Sequence, residues 1–203
     1  MISNVKVLYW LLGGVAALCL ALTCAAYVSI HPCPERLEPP FSSGRKLQVL
    51  DRSGAPLSLT FANGWNLSDQ RPLHEVPPLL QRAVLESEDK RFYEHSGIDW
   101  RARMHAILQN IRAGRVVRGA STISEQVVGM LHKRPRSVWS RFIEGLEATQ
   151  LERRFSKGEI LEFYLNQVPY AAKRRGIAQA ARHFWDRDLE TLSAREQLAL
   201  AVM

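Results

Sequence analysis

Twelve residues, Glu86 to Gly97 (Glu-Ser-Glu-Asp-Lys-Arg-Phe-Tyr-Glu-His-Ser-Gly), gather acids, bases, aromatics and a histidine. A carboxylate does proton chemistry when burial or neighbouring charge tunes its pKa. Glu86, Glu88, Asp89 and Glu94 are therefore the densest set of candidate acids and bases in the chain. The plain alternative for the same run is a solvated helix end, the usual fate of a charge cluster. Positive charge concentrates elsewhere, in Lys133-Arg134-Pro135-Arg136 and Lys173-Arg174-Arg175, and suits an anionic partner.

The elements that must hold these residues read as helices. Leu79, Leu80, Ala83 and Val84 form an apolar, helix-compatible run, with Pro77 and Pro78 suited to its first turn. That helix carries the acids at its end, and Gly97 stops the pattern. Trp100, Met104, Ile107, Leu108 and Ile111 recur at helical spacing up to Gly114. Beside Arg101, Arg103 and Arg112 they suit either a membrane surface or the core. Thr122 with Glu125, Ser156 with Glu159, and Ser193 with Glu196 have capping-box spacing, which predicts three more helix starts. A further helix is expected from Ser137 to Phe155, turning Trp139, Phe142, Leu146 and Leu151 inward. The last helix is still apolar at Met203, so the chain reads as a piece of a longer one. Upstream, Lys46–Leu50 and Leu57–Phe61 read as a short hairpin around Asp51-Arg52-Ser53-Gly54.

Before this domain lies an apolar run, Val7 to Ile30, with no Asp, Glu, Lys or Arg. As a helix it extends for about 36 Å, enough to cross a hydrocarbon core of about 30 Å. Tyr9, Trp10 and Tyr27 lie near its ends, where aromatics favour the interface. The run is longer than a signal-peptide core, and Cys24-Ala25-Ala26 is a poor cleavage site. Residues 1–30 are thus expected to be an anchor and 31–45 a proline-bearing tether that stands the next domain, 46–203, off the bilayer. Lys6 before the span and mixed charges after it favour an N-terminus in the cytoplasm. Cys19, Cys24 and Cys33 lie in or just past the span, which leaves the domain no disulfide framework and no zinc spacing. The formal charge is +7, nearly all of it beyond the span. For a domain outside the membrane this favours phosphorylated substrates or lipid headgroups over nucleic acid.

Five segments then read together. Glu88-Asp89-Lys90-Arg91-Phe92-Tyr93-Glu94-His95-Ser96-Gly97 resembles the first motif of the peptidoglycan glycosyltransferases, glycosyltransferase family 51. Gly119-Ala120-Ser121-Thr122-Ile123-Ser124-Glu125-Gln126 is similar to the second, and Arg141-Phe142-Ile143-Glu144 with Ala148 to the third. Lys157-Gly158-Glu159-Ile160-Leu161-Glu162-Phe163-Tyr164-Leu165-Asn166 matches the fourth nearly residue for residue. Gly176-Ile177-Ala178-Gln179-Ala180-Ala181-Arg182-His183-Phe184 follows the fifth. The lead-in Val49-Leu50-Asp51-Arg52 and the segment 111–117 look most like the C-type class A penicillin-binding proteins, without a transpeptidase domain.

The resemblance implies a mainly α, lysozyme-like domain with a short N-terminal β-hairpin, preceded by one transmembrane helix. It implies single-pass anchoring in the bacterial cytoplasmic membrane, with the domain on the outer, periplasmic face. The implied reaction joins lipid II into β-1,4-linked glycan strands and releases undecaprenyl pyrophosphate. By the same resemblance Glu88 is the general base and Glu144 assists near the pyrophosphate. Ser121, Thr122, Gln126, Arg136, Arg141 and Lys157 bind substrate, while Asp89, Phe92 and His95 shape the loop around the base. Asn166 and Glu162 stabilise the fold. A divalent cation, magnesium or manganese, is the one cofactor allowed for, with Glu144 its candidate ligand; no organic cofactor is implied. The partners are lipid II, the nascent glycan, the membrane and other cell-wall synthesis proteins, with no nucleic acid.

Three positions depart from the family pattern. Gly129 replaces a basic residue three after Gln126, His105 stands where an arginine is common, and Ser140-Arg141 opens the third motif in place of Arg-Lys. Each removes positive charge where the family holds phosphates. A charge-assisted contact of that kind contributes about 1.5–3 kcal/mol. Lys133, Arg134, Lys173, Arg174 and Arg175 are the candidates to compensate. Two further readings stay open: a non-catalytic member that binds lipid II or glycan and recruits partners, and a muramidase using one glutamate.

Overall fold

The computed structural model describes residues 2–39, 52, 64–67, 69–115 and 119–203. Among them are eight α-helices and no strand: α1 (Ile2–Ser29), α2 (Pro78–Glu88), α3 (Trp100–Ala113), α4 (Ile123–Leu131), α5 (Val138–Arg154), α6 (Lys157–Gln167), α7 (Gly176–Trp185) and α8 (Ala194–Ala201). The hairpin expected at 46–61 falls, Arg52 apart, outside the described residues, and nothing in the structure supports it.

α4 is the hub. It packs on α5 and α6, α6 packs on α7, and α2 packs on α8. The core between them holds Leu80, Val84, Phe92, Ile123, Val127, Leu151, Ile160, Leu161, Leu165, Ile177 and Leu200, all buried. All three predicted capping boxes are formed, at Thr122, Ser156 and Ser193. Asp99 and Ser137 cap α3 and α5. Gly114 closes α3 in the left-handed region at φ 62°.

Two expectations are corrected. The inward face of α5 carries Ser140, Ile143, Gly145, Glu147, Ala148 and Leu151, while Trp139 and Phe142 remain 37% and 46% exposed. The buried stripe mixes small and polar residues with Ile143 and Leu151, so the large aromatics pointed to the wrong face. The described part of the tether also lies on the domain: Cys33 and Leu37 pack against the core and Pro39 is buried. On α3, Trp100, Met104, Ile107, Leu108 and Ile111 are exposed and only Ala106 is buried.

α1 contains an 18-residue window, Leu12–Ser29, of mean hydropathy 1.9, long and apolar enough to cross a membrane. Its C-terminal end is fastened to the body. The Arg134 guanidinium donates to the Ser29 carbonyl at 3.1 Å and to Glu147 Oε2 at 2.8 Å. The His31 backbone N–H donates to Glu147 Oε1 at 2.6 Å, and the His31 and His132 rings stack 4.6 Å apart. Trp139 Nε1 reaches Ser29 Oγ at 3.3 Å.

Asn66, Arg71 and Leu73 are clasped by side chains of α6. The Asn66 N–H donates to Gln167 Oε1 at 2.9 Å while Gln167 Nε2 donates back to the Asn66 carbonyl at 2.9 Å. Asn166 makes the same two-way bond with the backbone of Arg71, at 2.7 and 2.8 Å, and Glu162 accepts from the Leu73 N–H. Asn166 and Glu162 therefore act on the fold, as expected from the sequence.

Candidate active site

Glu88 is the last residue of α2, exposed at the mouth of a cleft of about 920 Å³. The helix stops there because Asp89 leaves helical geometry at φ −153°. Its buried carboxylate accepts the N–H of Ile123, the first residue of α4, at 2.9 Å, and meets His95 Nε2 at 3.0 Å. An acid at that place satisfies an orphan N–H and faces the positive end of the α4 dipole. Phe92 is buried below, stacked edgewise on Tyr93 and near His95. Asp89, Phe92 and His95 thus form one block under the Glu88 backbone.

The second motif meets the first through Gln126, whose Nε2 donates to Glu88 Oε2 at 2.9 Å. Gln126 lies one turn before Gly129 on α4, a rise of about 4.5 Å. Gly129 faces Glu144 of α5, so the two glutamates lie along one side of α4, about one turn apart. Glu144 is half-buried. Burial pushes its carboxyl above the ordinary range and Glu125 adds to this, while Arg141 opposes it.

Arg141 lies over the start of α4. Its Nη1 donates to Ser121 Oγ at 2.7 Å and stands 3.6 Å from Glu144 Oε2. Ser121, Arg141 and Glu144 are therefore brought together. Thr122 lines the same cleft, but its hydroxyl is engaged in the cap and in a 2.6 Å bond to the Gly97 carbonyl. Lys157 is bound into the body: its Nζ lies 2.8 Å from Glu152 and 4.3 Å from the Phe92 ring centroid. Arg136 sits exposed in the loop between α4 and α5.

Of the basic residues suggested as replacements, Arg134 is held by Glu147 and the end of α1. Arg175 donates to the Gln167 carbonyl and covers the Trp65 ring at 5.1 Å. His105 and Arg101 line the cleft.

Sequence reading missed two groups. Tyr164 and Tyr170 line a second cavity of about 230 Å³ on the other side of Glu88. Burial, with Glu88 adding to it, holds both phenols protonated far above their ordinary range. For Tyr164 its place in a near-complete motif match was the available signal; Tyr170 lies between the motifs. Arg103, paired with the buried Glu125, ties α3 to α4 and had no signal beyond helical phase.

Motifs one to four thus meet at α4, with the Glu88 carboxylate on Gln126 and the Arg141 guanidinium on Ser121 just before the helix. Residues 58–203 match the transglycosylase family, and the chain belongs to it. It is similar to penicillin-binding protein 1A of Neisseria flavescens, 37% identical over 64% of this chain and 16% of that protein. It is similar also to penicillin-binding protein 1A/1B of Bacillus subtilis, 33% identical over 90% of this chain and 20% of the relative. The biosynthetic peptidoglycan transglycosylase of Nitrosospira multiformis is 34% identical over 65% of this chain and 58% of its own length. The chain spans about a sixth to a fifth of the penicillin-binding proteins and somewhat over half of the shorter relative.

Proposed function

We propose that this protein is a membrane-anchored peptidoglycan glycosyltransferase that polymerises lipid II. The observation that carries the reading is the Gln126–Glu88 bond, which joins two separate motifs at one exposed carboxylate. In the reaction the 4-hydroxyl of one sugar attacks C1 of another, linked α to pyrophosphate. The C1–oxygen bond breaks with its electron pair leaving on undecaprenyl pyrophosphate, and the configuration inverts. Glu88 takes the proton of the attacking hydroxyl. Arg141, free of a tight carboxylate pair, faces the leaving pyrophosphate and stabilises the charge that develops there. Gln126 keeps the carboxylate aimed, and Asp89 holds the turn beneath it.

Among the described residues no group of three or more His, Cys, Asp and Glu side chains forms a metal cage. Glu144 fits a magnesium or manganese ion that arrives with the pyrophosphate, since such ions take one or two carboxylates and substrate oxygens. That ion would supply positive charge at the leaving group. α1 crosses the bacterial cytoplasmic membrane once, with the helical body on the outer face beside its lipid-linked substrate, the growing glycan and other cell-wall synthesis proteins.

A second reading has one observation in its favour. Gly129 leaves α4 without a base opposite Glu144, which suits a non-catalytic scaffold that binds lipid II. The two separate on purified protein given labelled lipid II and a divalent ion. Glycan strands from the wild type and none from Glu88→Gln select the enzyme. Binding of lipid II without polymer, unchanged by Glu88→Gln, selects the scaffold.

A further inference from the structure

Glu88 does not stand alone at the end of its hydrogen-bond chain. The Tyr164 hydroxyl, on α6 and buried, donates to Gln126 Oε1 at 3.2 Å, and Gln126 Nε2 donates on to Glu88 Oε2 at 2.9 Å. An amide is ambidextrous: one end accepts and the other donates, and a half-turn exchanges them. A phenol hydroxyl can donate or accept and a carboxylate only accepts, so the charged Glu88 sets which end of the amide faces it and Tyr164 donates to the other. Tyr170, the other phenol of the cavity, donates instead to the Leu200 carbonyl at 3.2 Å and so has no part in fixing the amide.

We propose that Tyr164 is a positioning residue that braces the Gln126 amide from its far end and so keeps its NH2 aimed at Glu88. The inference rests on the reading of Glu88 as the general base. Without the hydroxyl, Gln126 Oε1 is left without its donor and the amide is held at the Glu88 end alone. The brace therefore fixes the carboxylate before substrate arrives, and the neutral amide contributes no net charge to the cleft.

The test is Tyr164→Phe, which removes one oxygen and keeps the ring that fills the core. In the full chain in detergent, the Gln126 side-chain NH2 is followed by nitrogen-15 NMR, its signal assigned by its loss in Gln126→Ala. Tyr164→Phe is expected to shift that signal, with kcat down roughly three- to tenfold and KM within about twofold. In a Gln126→Ala background, Tyr164→Phe should lower kcat no further. An unmoved amide signal, or an equal loss of kcat with and without Gln126, overturns the proposal. The amide signal needs no turnover, so a protein that shows the shift but makes no glycan overturns the catalytic reading alone.

Discussion

A β-carbon built on Gly129 would stand 3.6 Å from Oε1 of Glu144, in ordinary contact with its carboxylate. No side chain of α4 intervenes between the helix and this acid, and burial holds its carboxyl above the usual range. Gly129→Lys therefore starts without a clash, beside the Glu144 carboxyl. Replacing a mid-helix glycine also favours the helix by up to about 1 kcal/mol. The variant should melt several degrees higher in a thermal scan. If pyrophosphate stabilisation is the weak point, lipid II polymerisation should rise roughly tenfold, matching about 1.5 kcal/mol from a charge-assisted contact. Higher stability with an unchanged rate would show that Arg141 already suffices.

Asp89 is the second test, because one carboxylate serves both the start of α4 and the turn that carries Glu88. Asp89→Asn keeps the size and removes an acceptor, so either the Ile123 N–H or His95 faces an amide NH2. The expected loss is about 1–3 kcal/mol in chemical denaturation, with kcat falling more than KM changes. Loss of stability without loss of turnover would separate the turn from the base.

Much of this arrangement was legible beforehand, for physical reasons that differ by element. The caps at Thr122, Ser156 and Ser193 are local, three-residue chemistry, and sequence carries them whole. The start of α2 at Pro78 was legible too, but its end was not: Gly97 pointed to a later stop, and the helix ends at Glu88 because Asp89 leaves helical geometry. Nor was the inward face of α5. It buries Gly145 against Ile98 and Glu125, and Glu147 against Arg134 and His31, contacts set by distant parts of the chain, while Trp139 and Phe142 lie outward. The Tyr164–Gln126 bond spans 38 residues and depends on how α6 meets α4, a tertiary fact with no local signature.

The fastening of α1 to the body is predicted to fail in acid. Burial alone would raise the Glu147 carboxyl, but the Arg134 bonds and the His31 N–H outweigh it and hold it below the ordinary value of 4.5. A group with a lowered folded value stabilises the protein above its unfolded value, and that stability is lost as pH falls through the folded one. His132, lowered from 6.5 chiefly by burial, acts with the same sign at higher pH: the fold prefers its neutral ring, and stability declines as pH drops below 6.5. Urea midpoints measured across pH should fall in two stages. Glu147→Gln should flatten the lower stage and deepen the upper one, because the Glu147 charge partly offsets the lowering of His132. A single stage near neutrality would assign the whole effect to the histidine.

Gly97 closes the first motif against α5, and its replacement should be strongly damaging. Its φ is 94°, and a β-carbon there would lie 2.5 Å from the Thr149 nitrogen and 2.7 Å from the Ala148 carbonyl carbon. Those are backbone atoms inside a helix, so no rotamer change relieves the overlap. Gly114, at φ 62°, has nothing within 4 Å of the same position. Gly114→Ala therefore carries only the left-handed strain, about 1–2 kcal/mol. Gly97→Ala adds the clash, and a loss above about 4 kcal/mol is expected. It also displaces the carbonyl that accepts the Thr122 hydroxyl, so the start of α4 loosens together with the loop. Equal melting temperatures for the two variants would mean that the loop can lift from α5 at little cost. In that case Glu88 would owe its position to Asp89 and α2, with no support from the Gly97 contact.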